Sequence, residues 1–463
     1  MKKLNRMTDK NKSIQKRLLN AIPGGAHTYS RGYDQFPSNA PDILSKGKGA
    51  YVFDNNGNKY LDYGMALRAV NIGYSEKIIN QAAFDQILNG NNLTKPSAIE
   101  LEAAELLIKE IKSIDMVKFT KNGSTAVSAG VKLARAYTGR DLIARCSQHP
   151  FFSYDDWFIG STPIKKGIPK SIQKLTKHFY YNDIESLEKL IKRYPNKIAC
   201  VVLEPATHIC PKVNSSNKDC CGKIKCDRSF KNSKNNYLIQ VEKLCKKHGI
   251  VFILDEMITG FRWDIKGAQH LYGVNPDLCT FGKAMANGFS VSCIAGKRKI
   301  MQLGSIENIG QERTFLLSTT HGAEMSSLGA FVATYNFMKK EPVIKHMWNY
   351  GYKLKKMMNY LAKKYNIDNN FIAEGPSCSP IYQFKDNDGK ISLPLRTLFS
   401  QEMIKNKILM PWITLSYRHG EKEFKLTEKA LNKVFPIIKL ALDNGVDGYL
   451  KGEVIKPVFR THN

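Results

Sequence analysis

The chain has 463 residues, of which 43% are hydrophobic and 24% are charged. This is the composition of a globular protein with a sizeable core, so it excludes an intrinsically disordered chain and favours two or three lobes. The formal net charge of +29 fits either an acidic partner (nucleic acid, a membrane surface or phosphorylated metabolites) or a solvated lysine-rich surface. Because the lysines are spread along the chain, we favour the solvated surface and expect no nucleic-acid partner.

Targeting and membrane signals are weak in this sequence. The first 20 residues are basic, but they are not followed by the apolar segment of a signal peptide. No run approaches the roughly 18 apolar residues of a membrane-spanning helix. The ten cysteines, in the absence of a secretory context, indicate reduced thiols. We therefore expect a cytoplasmic protein without a membrane span.

The N-terminal part of the chain is predicted to be an arm followed by a hairpin. A basic amphipathic helix or arm is expected over residues 1–20, and a Gly- and Pro-rich loop containing Arg31 follows it. Two short apolar runs, 51–53 and 60–63, flank a turn of Asp, Asn and Gly, which predicts a β-hairpin. We place the end of this segment near residue 75.

The next strand–turn–helix junction is a candidate phosphate site. Residues 117–120 are a predicted strand, 121–124 a Gly-containing turn, and 126–137 a helix closed by Gly139. A turn that opens a helix offers free backbone N–H groups and the positive end of the helix dipole. The signal is weak by itself, since an α/β protein has several such junctions and the Walker P-loop pattern is absent.

A cysteine-rich insertion interrupts the region that follows. Residues 199–203 are predicted to be a buried strand that ends at Glu204, and residues 237–248 an amphipathic helix. Between them, over about 207–236, the chain is rich in Lys, Asn and Ser and holds Cys210, Cys220, Cys221 and Cys226. Their spacing lacks the paired C-x2-C clips of usual zinc sites. We predict no metal site and expect a flexible surface insertion.

Two neighbouring strands end in residues of complementary chemistry. The apolar run 250–254 has the length of a strand buried on both faces and ends at Asp255. A second run, 278–281, is followed by Gly282 and Lys283. Ligands of open α/β sheets sit outside the carboxyl ends of the strands, so an acid and an amine are expected to meet in one crevice. This pairing suits a pyridoxal phosphate (PLP) enzyme.

The order of the elements predicts the fold class. Strands alternate with helices across residues 115–300, which indicates a mostly parallel sheet covered on both faces. After about residue 325 come long helices, a short strand at 381–384 and a final helix at about 427–444, which indicates a smaller α+β lobe. We therefore predict an α/β protein. Its parts are an N-terminal arm and hairpin (1–75), a large PLP-binding domain (76–325) and a small C-terminal domain (326–463).

Several ordered motifs resemble those of the class III aminotransferases, which are PLP-dependent enzymes of fold type I. The strongest segments are FILDEMITGFR, GAQHLYGVNPDL and TFGKAMANG, with KLARAYTGRD behind them. The likeness runs from residue 22 to about residue 419 and is nearest to the glutamate-1-semialdehyde aminomutases. It implies the PLP-dependent transferase fold, a homodimer with shared active sites, and a small-molecule amino donor and carbonyl acceptor.

The resemblance also implies a role for each matching residue. Lys283 matches the lysine that forms the Schiff base with PLP, and Asp255 matches the carboxylate that keeps the pyridinium nitrogen protonated. The other implied cofactor contacts are the phosphate turn at Gly123 and Ser124, the stacking ring of Phe151, the strand-end Glu204, and Thr319, which reaches a neighbouring subunit's phosphate.

The substrate side departs from the aminomutase pattern. Arg31 stands where that pattern has its carboxylate-binding arginine, which suits an acidic donor such as glutamate. A solvated surface arginine is the alternative. Arg68 is a new arginine in the segment 65–68, where a tryptophan is also lost, and Arg418 replaces a small residue. We expect these three arginines to bind substrate and to suit a larger or phosphorylated acceptor, such as a sugar.

Three functions stay open at the level of the sequence. The predicted one is transfer of an amino group from an amino-acid-like donor to a separate carbonyl acceptor. The second is intramolecular transfer by an aminomutase. The third, a catalytically inactive homologue that acts as a binding protein, is disfavoured because Lys283, Asp255 and the phosphate turn are all present.

Overall fold

A mostly parallel sheet forms the centre of the chain in the computed structural model, which describes residues 13–206, 209–213, 236–307, 309–322 and 324–462. Its strands are β4 (Met116–Thr120), β5 (Leu142–Cys146), β6 (Thr176–Phe179), β7 (Ile198–Leu203), β8 (Val251–Asp255), β9 (Leu278–Phe281) and β10 (Ser292–Gly296). The strand order is β4-β10-β9-β8-β7-β5-β6. Only β10 runs antiparallel to its neighbours within this sheet. The predicted mostly parallel sheet is therefore confirmed.

A second sheet joins the N-terminal segment to the C-terminal part of the chain. Its strands are β1 (Leu44–Lys48), β2 (Tyr51–Asp54), β3 (Lys59–Asp62) and β13 (Ile408–Leu409). β2 and β3 form the predicted antiparallel hairpin, and β13 pairs with β3 in parallel. A separate hairpin of β11 (Phe371–Glu374) and β12 (Ile381–Phe384) lies in the C-terminal part. The division into three parts at residues 75 and 325 stays a proposal.

Helices cover the central sheet and build the C-terminal lobe. They span Ile14–Ala21, Lys77–Leu88, Ala98–Glu110, Gly123–Thr138, Asp156–Ile159, Lys170–Gln173, Ile184–Arg193, Tyr237–His248, Ala268–Tyr272, Arg298–Met301, Met325–Lys340, Val343–Lys364, Leu393–Lys405 and Glu421–Asn444. Two predicted boundaries were wrong, because the helix expected from residue 126 begins at Gly123 and the final helix begins at Glu421 rather than at residue 427. Among the described residues, no helix is both long enough and apolar enough to cross a bilayer.

The central strands are buried on both faces, which explains their continuous apolar runs. In β8, Val251 and Ile253 belong to one hydrophobic cluster. Phe252 and Leu254, which point the other way, belong to a second cluster on the opposite face. Because side chains alternate along a strand, helices on both sides must cover this sheet. Polar side chains are therefore concentrated at the strand ends, where the candidate site lies.

One expectation about the cysteines is wrong. Cys210 is joined in a disulfide whose partner lies outside the described residues, whereas reduced thiols were expected throughout. A bridge between Val213 and Asn236 shows that the insertion leaves and rejoins the fold at one point. The predicted cluster members Cys220, Cys221 and Cys226 lie outside the described residues.

Candidate active site

Two adjacent parallel strands bring Asp255 and Lys283 to the same edge of the sheet. Asp255 is the last residue of β8 and pairs in register with Thr280 of β9. Lys283 follows β9 after Gly282 and has a φ of 45°, a left-handed conformation that is unusual for a residue with a side chain. The charges of Asp255 and Lys283 interact. The structure thus brings together the acid and the amine that the sequence placed in one crevice.

The carboxylate of Asp255 is fixed on one side and free on the other. Its Oδ1 accepts hydrogen bonds from the Met257 N–H at 3.0 Å and the Thr280 hydroxyl at 2.9 Å. Oδ2 has no hydrogen bond to any described residue. Burial raises the pKa of Asp255, and the Lys283 cation opposes that rise. A second cation close to Oδ2, such as a protonated ring nitrogen, would hold the carboxylate in its ionised form.

The environment of Lys283 favours a neutral amine. Burial lowers the pKa of Lys283, the carboxylates of Asp255 and Glu204 oppose this, and the Arg68 cation lowers the pKa further. A lysine with a lowered pKa is a better nucleophile and proton acceptor near neutral pH. The site therefore brings together an amine, a guanidinium and two carboxyl groups, removed from bulk water.

Glu204 lies at the end of β7 with one carboxyl oxygen unpaired. The side chain is 3% exposed, and its Oε2 has no hydrogen-bond partner in the described part of the chain. Its backbone N–H donates to His149 Nδ1 at 3.0 Å. Burial and the nearby Asp255 raise the pKa of Glu204 to about 8. Glu204 is therefore largely protonated at neutral pH and can donate a hydrogen bond into the site.

The predicted phosphate turn opens the 16-residue helix Gly123–Thr138. Asn122 caps this helix by accepting from the Thr125 N–H at 3.0 Å, and the N–H groups of the first turn have no intrahelical partner. A side chain at position 123 would force Met257 to move, because a Cβ there would lie 2.7 Å from the Met257 sulfur. This helix N-terminus, the free Asp255 oxygen and the Lys283 amine, whose pKa is lowered by burial, together fit PLP.

The other two predicted cofactor contacts lie at the surface of the single chain. Phe151 is 45% exposed, and its ring contacts that of Phe158 edge-on at 5.7 Å. Thr319 is exposed in the loop that precedes the helix Met325–Lys340. Glu324 ties this loop to Lys121, the first residue of the phosphate turn. Both assignments stay predictions.

The sequence did not reveal that the segment containing Arg68 is a left-handed turn. Met65, Ala66, Leu67 and Arg68 have φ values of 40°, 49°, 59° and 72°. Each such residue costs roughly 1–2 kcal/mol when it carries a side chain. Strain of this kind persists only where the surroundings fix the backbone, and it clusters at functional sites. The turn is therefore a candidate functional element.

Buried polar side chains hold this turn in place. Asp62 accepts from the N–H groups of Gly64 at 2.7 Å and Met65 at 3.0 Å. Arg262, fully buried, donates to the Arg68 carbonyl at 3.3 Å and to the Leu415 carbonyl at 2.7 Å. The guanidinium of Arg68 has no hydrogen bond or ion pair with the described residues, although its charge acts on Glu204 and Lys283. The fold thus directs an unpaired cation towards Lys283.

The three predicted substrate arginines occupy different surroundings. Arg31 lines a large cavity that also contacts Ala66 and Leu67 of the left-handed turn. Arg418 instead forms a bidentate ion pair with Glu76, at 2.6 and 2.7 Å. The structure therefore brings Arg68 to Lys283, places Arg31 on the adjoining cavity, and commits Arg418 to a protein carboxylate. The substrate role of each stays a prediction.

The segment that carries Arg418 also contains a buried neutral histidine, which gives a pH prediction. His419 Nδ1 accepts from the Ser416 N–H at 3.1 Å, and its Nε2 is buried without a described partner. Burial lowers the pKa of His419 to about 4. Between pH 6.5 and 4 the unfolded chain binds a proton that the folded chain does not, so stability falls as the pH falls. We expect this residue to cost about 2 kcal/mol of unfolding free energy between pH 7 and pH 5.

Urea denaturation of the wild type and of His419→Gln at pH 7 and pH 5 tests this expectation. The variant should be less stable at pH 7, because a packed ring is lost, but it should lose about 2 kcal/mol less than the wild type on acidification. Equal losses in both proteins would show that His419 does not carry the pH dependence.

Known proteins resemble this chain over nearly its full length. Residues 29–208 and 224–376 match the family described as aminotransferase class-III. The chain is 28% identical over 431 residues to the 3-aminobutyryl-CoA aminotransferase of Cloacimonas acidaminovorans, covering 91% of this chain and 95% of that protein. It is 30% identical over 451 residues to the glutamate-1-semialdehyde 2,1-aminomutase of Wigglesworthia glossinidia brevipalpis, covering 90% and 95%.

Solved structures share the fold. The FumI protein of Sphingopyxis sp. MTA144, in a PLP form, superposes with a TM-score of 0.79 at 23% identity, covering 95% of this chain and 98% of that chain. A glutamate-1-semialdehyde aminomutase from Pseudomonas aeruginosa PAO1 gives a TM-score of 0.76 at 16% identity, covering 92% and 94%. At such identities the likeness establishes the fold, which is the predicted PLP-dependent transferase type.

Proposed function

Because this chain belongs to the class III aminotransferase family of PLP-dependent enzymes, we propose that its active site is the cluster around Lys283 and Asp255. It transfers an amino group from an amino-acid-like donor, with glutamate as one candidate, to a separate carbonyl acceptor. The observation that carries the assignment is the meeting of Lys283, Asp255 and Glu204 in one buried cluster. The helix N-terminus at Gly123 supplies the anion-binding element that the cofactor requires.

Each residue of the cluster has a distinct task. PLP, when bound, supplies an electron sink that allows a C–H bond beside nitrogen to release its proton. The free Oδ2 of Asp255 would hold a proton on the ring nitrogen, and Gly123 and Ser124 would hold the phosphate at the start of their helix. Lys283 Nζ would form the bond to the cofactor, and as a free amine it would accept the proton of the substrate C–H bond. Glu204 supports the site as a buried hydrogen-bond donor.

A half-reaction with single amino donors tests the proposal. Holoenzyme should show the visible absorbance band of lysine-bound PLP, and a competent donor such as glutamate should bleach it and release one equivalent of keto acid. If no α-amino acid, ω-amino acid or simple amine bleaches the band, transfer between separate molecules is wrong.

An aminomutase is the second candidate, and the similarity to such enzymes at 30% identity supports it. Intramolecular transfer would turn over a substrate that carries both groups without releasing a keto acid. Keto-acid release from a simple donor therefore separates the two reactions. The segment 65–68, with its new arginine Arg68, departs from the aminomutase sequence pattern. This departure favours a different substrate, and hence the aminotransferase.

A homodimer is the proposed assembly. The helices Lys77–Leu88 and Ala98–Glu110 expose the apolar side chains of Ile78, Phe84, Leu88 and Leu101, each more than half accessible. Large apolar side chains exposed on these two helices, both of which pack on the helix Met325–Lys340, make them a candidate interaction surface. Asn92 Nδ2, between these helices, donates to the Thr320 carbonyl at 2.9 Å. A second copy on this face would therefore also contact the loop of Thr319, as a shared active site requires.

We expect Leu88→Glu to dissociate the dimer, because a charge would be buried in an apolar interface. Leu440→Glu is the matched control, since Leu440 is 50% exposed on the helix Glu421–Asn444. Light scattering after gel filtration should give a monomer mass for the first variant and a dimer mass for the control. A dimer in both variants would place the interface elsewhere.

A cytoplasmic location is also a proposal. Six described cysteines are free and buried: Cys146, Cys200, Cys245, Cys279, Cys293 and Cys378. Free thiols in this number suit a reducing compartment. The disulfide at Cys210 argues in the other direction, so the cysteines alone give a mixed signal.

A further inference from the structure

A cavity of about 1060 Å³ adjoins the left-handed turn. Its walls come from the N-terminal segment before β2, from the turn, from the residues after β13, and from the C-terminal residues 453–456. Ala66 and Leu67 form part of the wall, and the next residue, Arg68, acts electrostatically on Lys283. The cavity therefore lies beside a turn whose last residue, Arg68, is close enough to Lys283 for their charges to interact.

The size of the cavity exceeds what an amino-acid substrate needs. Pockets for drug-sized ligands typically measure roughly 300–1,000 Å³, and this one reaches the upper end of that range. The strained turn is held by Asp62 and Arg262, so the cavity is built into the rigid part of the fold. A small donor would leave most of it filled with water. The dimensions indicate that one of the two substrates is large.

The tryptophan that the aminomutase pattern has in the segment 65–68 is lost in this chain, but another tryptophan, Trp412, lines the cavity beside that segment. Trp412 is half-buried, and its Nε1 donates to the Gly64 carbonyl at 3.2 Å, immediately before the turn. This bond fixes the edge of the indole, while the ring lines the cavity. A fixed indole presents an apolar face next to polar groups. The C–H bonds on one face of a sugar ring are the usual partners of such a face.

Two cations of the cavity lining, Arg31 and Lys46, have no ion pair with a described residue. Asp34 is paired with Arg460 at 2.7 Å, and Glu453 with Lys456 at 3.1 Å. Arg31, in contrast, has no ion pair or side-chain hydrogen bond with the described residues. Burial and the nearby Asp62 raise the pKa of Tyr74, and the Arg31 cation lies close enough to oppose that rise. A guanidinium without a partner suits a bidentate oxyanion such as phosphate.

We infer that the carbonyl acceptor is a phosphorylated sugar, held with its ring on Trp412 and its phosphate on Arg31. The inference rests on the proposed aminotransferase function. The net reaction balances without an external oxidant, because the donor R₂CH–NH₃⁺ becomes a ketone or aldehyde and the sugar carbonyl becomes CH–NH₃⁺. Hydroxyl and carboxylate groups on the same wall, from Ser30 and Asp42, suit the sugar hydroxyls. A long, largely apolar acyl-thioester arm would leave these groups unpaired.

Calorimetric titration of the holoenzyme with unreactive probes tests the inference. Glucose 6-phosphate should bind at least tenfold more tightly than glucose or inorganic phosphate. Comparing its affinity with that of UDP-glucose shows whether the site prefers a free sugar phosphate or a nucleotide-linked sugar. Trp412→Ala should weaken the preferred probe by about tenfold, and Trp412→Phe, which retains a ring, should weaken it much less. Arg31→Met should remove the preference for phosphate, whereas Arg193→Met, on an exposed helix, should not.

Equal binding of glucose and its phosphate, or tighter binding of coenzyme A than of either phosphorylated sugar, would overturn the inference. Unchanged affinity in Trp412→Ala would do the same. If the wild type completes the half-reaction with an amino donor but binds no sugar phosphate, the acceptor assignment alone is wrong. If no donor bleaches the cofactor band, the proposed function fails and the acceptor assignment fails with it.

Discussion

Lys283→Ala is expected to lower the rate of amino transfer by roughly 10⁴-fold or more, because one side chain serves as both nucleophile and proton carrier. Its lowered pKa, caused chiefly by burial, makes the neutral amine available for both tasks. Steady-state assays should show the loss, and the visible band of lysine-bound PLP should disappear from the purified variant.

The matched control is Lys299→Ala. Lys299 is an exposed lysine whose ammonium lies over the ring of Tyr137, at 5.6 Å from its centroid. That contact is a surface cation–π interaction, and Lys299 is not among the groups whose charges act on Lys283. The control should keep its band and its activity. Activity in Lys283→Ala within tenfold of the wild type, with an unchanged circular dichroism spectrum, would remove Lys283 from the chemistry.

Asp255→Asn is expected to lower the rate by roughly 10²–10³-fold, the usual loss when one group that stabilises developing charge is removed. Asparagine keeps the shape and can still accept from the Met257 N–H and the Thr280 hydroxyl through Oδ1. Only the negative charge is lost, so the fold should survive. The rate constant of the half-reaction and the band position report the loss directly.

The neighbouring carboxyl group supplies the contrast. Glu256 is fully buried and accepts from the N–H groups of Ala268 at 2.9 Å and Gln269 at 2.7 Å, and from the Thr259 hydroxyl. These bonds anchor the chain between β8 and β9. Glu256→Gln loses one acceptor, so we expect about 1–3 kcal/mol of stability to be lost with little change in rate per folded molecule. Comparable losses of rate in both variants would contradict separate roles for the two acids.

The sequence predicted the catalytic end of the sheet because buried strands have a simple pattern. β8 and β9 are continuous apolar runs, and a charged residue that directly follows such a run must lie at a sheet edge. The meeting of Asp255 and Lys283 depends only on β8 and β9 being neighbours and parallel. The turn before the helix Gly123–Thr138 was predicted for a similar local reason, although that helix begins three residues earlier than expected, and its phosphate-binding role stays a prediction.

The substrate side was less predictable because tertiary contacts determine it. Four consecutive left-handed residues oppose local preference. Their backbone is held in part by Arg262, which lies 194 positions from Arg68, and by Trp412, which lies 348 positions from Gly64. A short, conformationally ambiguous segment such as 65–68 gives no local signal for this turn. Arg418 shows the same limit, since its partner Glu76 lies 342 positions away.

Borohydride reduction of the holoenzyme, followed by peptide mass spectrometry, tests the central claim most directly. Reduction fixes PLP permanently to whichever lysine amine it is bonded to. The account predicts a phosphopyridoxyl group on the peptide that contains Lys283, in a stoichiometry that follows the loss of the visible band. Modification of another lysine, or labelling spread over many surface lysines with Lys283 unmodified, would contradict it.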